Sequence, residues 1–145
     1  MPFKRLTDDF WASPQIAIED VAAAAAQGVT LIVNNRPDDE EPGQPPSAEV
    51  EAAARAAGMD YAHIPVSHAG FSMPQVDAMA DTLERSEGPV LGFCRSGTRS
   101  TLLWAMAEAK RGKDIEEIAM AAERGGYNVG AVAGTMDALA AESRG

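Results

Sequence analysis

A single cysteine, Cys94, serves a chain of 145 residues. One thiol cannot close an internal disulfide, so packing must hold the fold, and a reducing compartment, the cytoplasm by default, suits it. Histidine is almost as scarce, with only His63 and His68. Two histidines and a distant cysteine give no metal-ligand spacing, so no metal site is expected. Positive charge is outnumbered, 12 Lys and Arg against 22 Asp and Glu, a net charge of −10. That excess argues against nucleic acid or an anionic membrane surface as partner. No apolar run approaches the ~18–20 residues that span a bilayer. The opening Met1-Pro2-Phe3-Lys4-Arg5 leads into Thr7-Asp8-Asp9, not into a signal-peptide core. There is no Gly-x-Gly-x-x-Gly and no P-loop, so no cofactor is expected.

What remains is an ordinary globular mixture, 46% apolar and 23% charged. The length fits one domain over residues 1–145. Strand-like and helix-like runs alternate. Strands are expected at Phe10–Ser13, Thr30–Val33, Tyr61–Val66 and Gly88–Phe93. Helices are expected over Glu19–Gln27, from an N-cap at Ser47 to Gly58, from the capping box Ser72-Met73-Pro74-Gln75 to Arg85, and from the Cys94 loop to Lys110. Two more follow, capped at Asp114 and ending at Gly125-Gly126, then over Val129–Ala141. This alternation predicts an α/β fold with a largely parallel central sheet flanked by helices. Trp104, Met106, Met79 and Met120 read as core. Sites in such sheets form at the carboxyl ends of strands. Three loops there carry chemistry: Asn34 to Glu40, Ser67 to Gly70, and the Cys94 loop.

The Cys94 loop carries the most. It reads Cys94-Arg95-Ser96-Gly97-Thr98-Arg99-Ser100, between the apolar run Pro89–Phe93 and the helix-like run Thr101–Ala107. A cysteine where a strand turns into a helix faces backbone N–H groups that have no intrahelical partner. Two arginines add full charge. The setting favours thiolate over thiol and welcomes an oxyanion. A buried structural cysteine would need neither arginine. Cys94 is therefore the candidate nucleophile and Arg99 the candidate anion clamp, its planar fork matching two oxygens of one anion. Arg95, Ser96, Gly97, Thr98 and Ser100 are candidate substrate-binding residues. Gly97 allows the tight turn, and Ser100 can bond the sulfur or cap the helix. Arg36 can meet the substrate anion or pair with Asp38 or Asp39. His68 and Asp38 are the candidates to move a proton, while His63 reads as a structural histidine.

Two enzyme families share a cysteine–loop–arginine cradle. Tyrosine and dual-specificity phosphatases place five residues between cysteine and arginine, and rhodanese sulfurtransferases place four. Cys94 and Arg99 are separated by four. The stretches Gly28–Arg36 and Tyr61–Val66 resemble the dual-specificity phosphatase fold. Together with the Cys94–Ser100 and Asn34–Asp39 runs, they make the chain resemble the DUF442 phosphatase-like domain of bacterial β-lactamase-hydrolase-like proteins, also labelled a sulfur transferase family. The resemblance covers Leu6 to about Asp137. It implies a cysteine-phosphatase-like fold and, as partner, a persulfide dioxygenase of the metallo-β-lactamase fold. One departure stands out. Phosphatases carry an aspartate general acid in the loop that here reads Ser67-His68-Ala69-Gly70, without a carboxylate. Attack on the outer sulfur of thiosulfate releases sulfite and needs no acid. The short loop and the missing acid therefore put sulfane-sulfur transfer through a Cys94 persulfide first. A phosphatase working through a phosphocysteine is the alternative. A non-catalytic anion- or thiol-binding module is the second alternative.

Overall fold

Residues 3–144 are described in the computed structural model of the chain. Five strands form one sheet in the order β1-β2-β5-β3-β4. β2 (Phe10–Ser13), β5 (Val90–Phe93), β3 (Leu31–Asn34) and β4 (Asp60–His63) are mutually parallel, and β1 (Lys4–Arg5) is antiparallel to β2. The register is level: Val33, Gly92 and Ala12 lie side by side.

Helices cover both faces, so both must be apolar. The period of two along each strand sorts the side chains. Trp11, Ile32, Leu91 and Phe93 face α1 (Ile18–Ala26) and α2 (Ser47–Ala56) through Val21, Ala24, Val50 and Ala54. Phe10, Ala12, Leu31, Val33 and Val90 face the other layer, α3 (Met73–Arg85), α4 (Thr98–Lys110), α5 (Ile115–Arg124) and α6 (Ala133–Arg144). There Phe10 stacks on Trp104 with ring centroids 5.3 Å apart, a contact of about 0.5–1.5 kcal/mol beyond area burial. The central α4 is buried along most of its length. It comes close to the sheet because Gly92 has no side chain; a Cβ there would lie 2.8 Å from the Phe10 ring and 3.4 Å from Ser100 Cβ.

Several expectations need correction. Ser47 is the first residue of α2, not its cap; its N–H donates to Asp38 Oδ1 at 2.8 Å, so the cap comes from earlier in the preceding loop. β4 is regular only to His63, because Pro65 has no N–H for the ladder, although Ile64 and Val66 still donate to the Asn34 and Asn35 carbonyls. The last helix begins at Ala133, after a 3-10 turn over Gly130–Val132. Met120 is 57% exposed, not core, whereas Trp104, Met106 and Met79 are buried. β1 was not expected, since two charged residues carry no apolar alternation. The capping box of α3 forms, with Ser72 N–H donating to Gln75 Oε1 at 2.8 Å. Among the described residues no helix is long and apolar enough to cross a membrane.

Candidate active site

β5 ends at Phe93 and α4 begins at Thr98, so Cys94 to Gly97 form the strand-to-helix turn. Gly97 makes it possible, with φ at +91°, a left-handed conformation that costs other residues free energy. A Cβ at Gly97 would also collide with the Tyr127 hydroxyl. The turn aims the Gly97 N–H at Cys94 Sγ, 3.1 Å away. Ser96 Oγ accepts the Thr98 N–H at 3.3 Å and donates to Thr98 Oγ1 at 3.0 Å. Among the described residues, the backbone N–H groups of Arg95, Ser96, Arg99 and Ser100 have no protein acceptor. They are the donors that a helix start offers to an anion. The outside of the turn is pinned: Gln15 N–H donates to the Arg95 carbonyl at 3.2 Å, and Tyr127 Oη donates to the Ser96 carbonyl at 3.1 Å.

Arg99 rises from the first turn of α4 and meets two other loops. Its Nη1 donates to Glu40 Oε2 at 2.8 Å and to the Val66 carbonyl at 2.5 Å; its Nη2 donates to Glu40 Oε1 at 2.8 Å. Glu40 also accepts Arg36 Nε at 2.8 Å. Glu41 receives Arg36 Nη2 at 2.6 Å and Arg95 Nε at 3.0 Å. Arg36 is 3% exposed, and its remaining amino group donates to Gln15 Oε1 at 2.9 Å. The three strand-end loops thus converge on Arg99. The charge at the site differs from that of the Cys94 loop alone. Three guanidinium groups, Arg36, Arg95 and Arg99, face two carboxylates, Glu40 and Glu41.

The pairing shifts titrations. The Arg99 hydrogen bonds, with help from Arg36, hold the Glu40 carboxyl down at about 2 against burial that raises it. Arg99 in turn keeps its proton more tightly than usual, first through its hydrogen bonds to Glu40, against burial that opposes them, and secondarily through the nearby Cys94 sulfur. The Tyr127 phenol is pushed up by burial and secondarily by the Cys94 charge.

The remaining sequence candidates are placed as follows. Cys94 has no accessible surface. Arg36 pairs with Glu40 and Glu41 rather than with Asp38 or Asp39. Asp38 is engaged as the α2 cap. His68 stands exposed in its loop. His63 holds the Arg36 carbonyl through Nε2 at 2.9 Å. Ser100 is fully buried, and its Oγ has no hydrogen-bond partner among the described residues. Sequence reasoning assigned nothing to Glu40, Glu41, Gln15 or Tyr127. The adjacent Glu40-Glu41 pair, in a loop that also carries Arg36, was the available signal for two of them.

The chain resembles known proteins over most of its length. Residues 2–111 match the family described as beta-lactamase hydrolase-like protein, phosphatase-like domain. The beta-lactamase hydrolase-like protein of Agrobacterium fabrum is 39% identical over 117 residues, covering 78% of this chain and 27% of the relative. The chain therefore spans about a quarter of that relative's length. A Neisseria meningitidis protein, described as a candidate phosphatase, has a crystal structure that aligns at a TM-score of 0.81 with 31% identity, covering 96% of this chain and 99% of its own. A DUF442 protein of Shewanella putrefaciens, also described as a candidate phosphatase, aligns at a TM-score of 0.71 with 18% identity, over 98% of this chain and 88% of its own; at that identity it speaks to fold alone. The fold is that of the cysteine phosphatases, and the chain belongs to the beta-lactamase hydrolase-like protein, phosphatase-like domain family.

Proposed function

We propose that this chain is a cysteine-dependent phosphatase-type hydrolase. The observation that carries the reading is the Cys94 turn. Its sulfur accepts the Gly97 N–H, and among the described residues four further N–H groups of the turn and the start of α4 have no protein acceptor. The family and the aligned Neisseria structure are phosphatase-like by description, which supports phosphoryl chemistry ahead of the sulfur transfer that loop length suggested. In the reaction, Cys94 Sγ attacks the phosphorus of a monoester. An S–P bond forms, the P–O ester bond breaks, and the leaving oxygen departs with its electron pair. Water then attacks the phosphocysteine, releasing inorganic phosphate and restoring the thiolate. Arg99 and the backbone donors hold the equatorial oxygens where charge is spread.

The leaving oxygen receives little help. The Ser67–Gly70 loop has no carboxylate. Glu40, held at about 2, is ionised at neutral pH and has no proton to give. Asp38 is occupied by the Ser47 N–H. His68 is the proton donor left in that loop. The substrates that fit are monoesters with weakly basic leaving groups, such as aryl phosphates.

Sulfane-sulfur transfer is the second reading, and the four-residue spacing of Cys94 and Arg99 favours it. There the thiolate attacks the outer sulfur of thiosulfate, the S–S bond breaks, sulfite leaves, and Cys94 carries a persulfide. A persulfide dioxygenase would then be the natural partner. Intact mass after p-nitrophenyl phosphate, and separately after thiosulfate, decides between them. A phosphoryl adduct on Cys94 with release of nitrophenol is expected. A one-sulfur adduct with no phosphoryl adduct would reverse the order. Neither adduct, with anion binding retained, would leave a binding module.

A further inference from the structure

We propose that Glu40 is the positioning residue of the anion site. Its carboxylate takes the terminal edge of the Arg99 guanidinium and so presents the other edge to the substrate. The proposal rests on the reading of Arg99 as the anion clamp.

A guanidinium has five N–H donors in a fixed plane. Both Nη1 protons are used, on Glu40 Oε2 and on the Val66 carbonyl, and one Nη2 proton is used on Glu40 Oε1. Among the described residues, the two donors left are Nε–H and the second Nη2–H. They lie parallel on one side of the plane, the geometry that accepts two oxygens of a single anion. A competing carboxylate would take the side edge, where substrate oxygens bind in pairs. Glu40 takes the end instead.

Glu40 is itself held, as a positioning residue must be. Arg36 Nε grips Oε1 at 2.8 Å, and Arg36 is buried and tied to Gln15 and Glu41. The Arg36 backbone is fixed through Asn34 Oδ1, which accepts its N–H at 2.9 Å, and through His63. Asp39 takes a left-handed conformation, with φ at +63°, which turns the chain between Arg36 and Glu40. Asp tolerates that region better than most residues. A continuous line of contacts, Gln15–Arg36–Glu40–Arg99, thus runs from the end of β2 to the Cys94 loop.

The test uses the full chain with 15N-labelled arginine side chains, inorganic phosphate as probe, and p-nitrophenyl phosphate as substrate. In the wild type, Arg99 Nε–H is expected as a distinct signal that phosphate shifts and protects from exchange. Glu40→Gln should broaden or abolish that signal. It should lower kcat/KM by ~10²-fold, the scale of a misplaced catalytic contact. The loss should fall mainly on kcat, because removing a carboxylate leaves the site more positive and spares phosphate binding. Glu41→Gln should leave the Arg99 signal in place. Glu40→Asp keeps the charge but shortens the reach. A charge needed only for folding would be restored by it, whereas positioning would not. An Arg99 signal and kcat that survive both Glu40 variants would overturn the proposal. So would faster turnover in Glu40→Gln, which would make Glu40 a competitor. A wild type that turns over no aryl phosphate, yet shows the phosphate shift and its loss in Glu40→Gln, would overturn the hydrolase reading and leave the positioning role standing.

Discussion

The Cys94–Ser100 loop and the Asn34–Pro46 loop meet at Arg99, and they are held by different forces. The first is a backbone object. Its shape comes from the left-handed Gly97, from the Gly97 N–H directed at the sulfur, and from the start of α4. The second is a side-chain object. Asp38 caps α2, Gln44 Nε2 donates to the Pro37 carbonyl at 2.8 Å, and Glu40 and Glu41 bind three arginines. A backbone cradle is specified by a few adjacent residues. A side-chain strap also needs partners tens of positions away, as the 59-residue separation of Glu40 and Arg99 shows. The cradle can therefore be retained while the strap varies, and the strap can tune how the clamp is presented without touching the nucleophile.

The strongest way to break this comparison is at the residue both loops share. Arg99→Lys keeps the charge but loses the planar fork. It removes the bidentate contact with Glu40 and the side edge for the anion together. A loss of ~10²–10³-fold in kcat is expected, the scale of losing a donor to developing charge. Arg95→Lys should cost far less, because the Arg95 side chain is exposed and pairs with Glu41 at the rim. Steady-state kinetics of the two variants checks this. Equal, small losses would mean that general field, not geometry, holds the substrate.

The strap can be probed alone through acid. Glu40 sits at about 2 in the folded chain, below its ordinary value of 4.5. A depressed carboxyl contributes stability above the unfolded value, and that contribution is lost as pH falls through the folded value. The window is therefore about pH 4.5 down to about 2. The pair reaches solvent, so its share is about 1–2 kcal/mol after screening. Chemical unfolding of wild type and Glu40→Gln across that range should show the two stability curves converging as the pH drops. Parallel curves would separate the strap from the stability of the fold.

The same division explains what the sequence disclosed. The strand–helix alternation, the capping box at Ser72 and the Cys94 turn are local patterns, and each is where its residues place it. The three strand-end loops also converge as the topology required. Glu40 and Glu41 stayed silent because acidic residues in a polar, proline-rich loop look like solvated surface until an arginine is brought to them. Met120 looked like core because composition does not say which side of α5 faces out. Asp38 could not be read as the α2 cap, since its partner Ser47 lies nine residues further on. The four-residue spacing and the missing acid, taken without the fold, favour sulfur transfer. The family and the aligned structures are described by phosphatase chemistry instead.

Tyr127 offers the finest test of the cradle, because it touches the loop from outside. It lies beyond the residues that match the family, after Gly125-Gly126 at the end of α5. Its hydroxyl donates to the Ser96 carbonyl and fills the space beside the Gly97 Cα. A carbonyl held outward leaves the peptide N–H groups of the turn free to face inward, toward the anion. Tyr127→Phe removes that one hydrogen bond and keeps the ring. A partly exposed neutral bond of this kind contributes about 0.5–1.5 kcal/mol, so up to roughly a tenfold rise in the phosphate dissociation constant is expected. The melting temperature should change little, since the ring still packs. Phosphate protection of Cys94 against alkylation would report the affinity. Unchanged protection would show that the backbone turn holds its own shape, and the contrast between a self-supporting cradle and a braced strap would then be sharper than the contacts suggest.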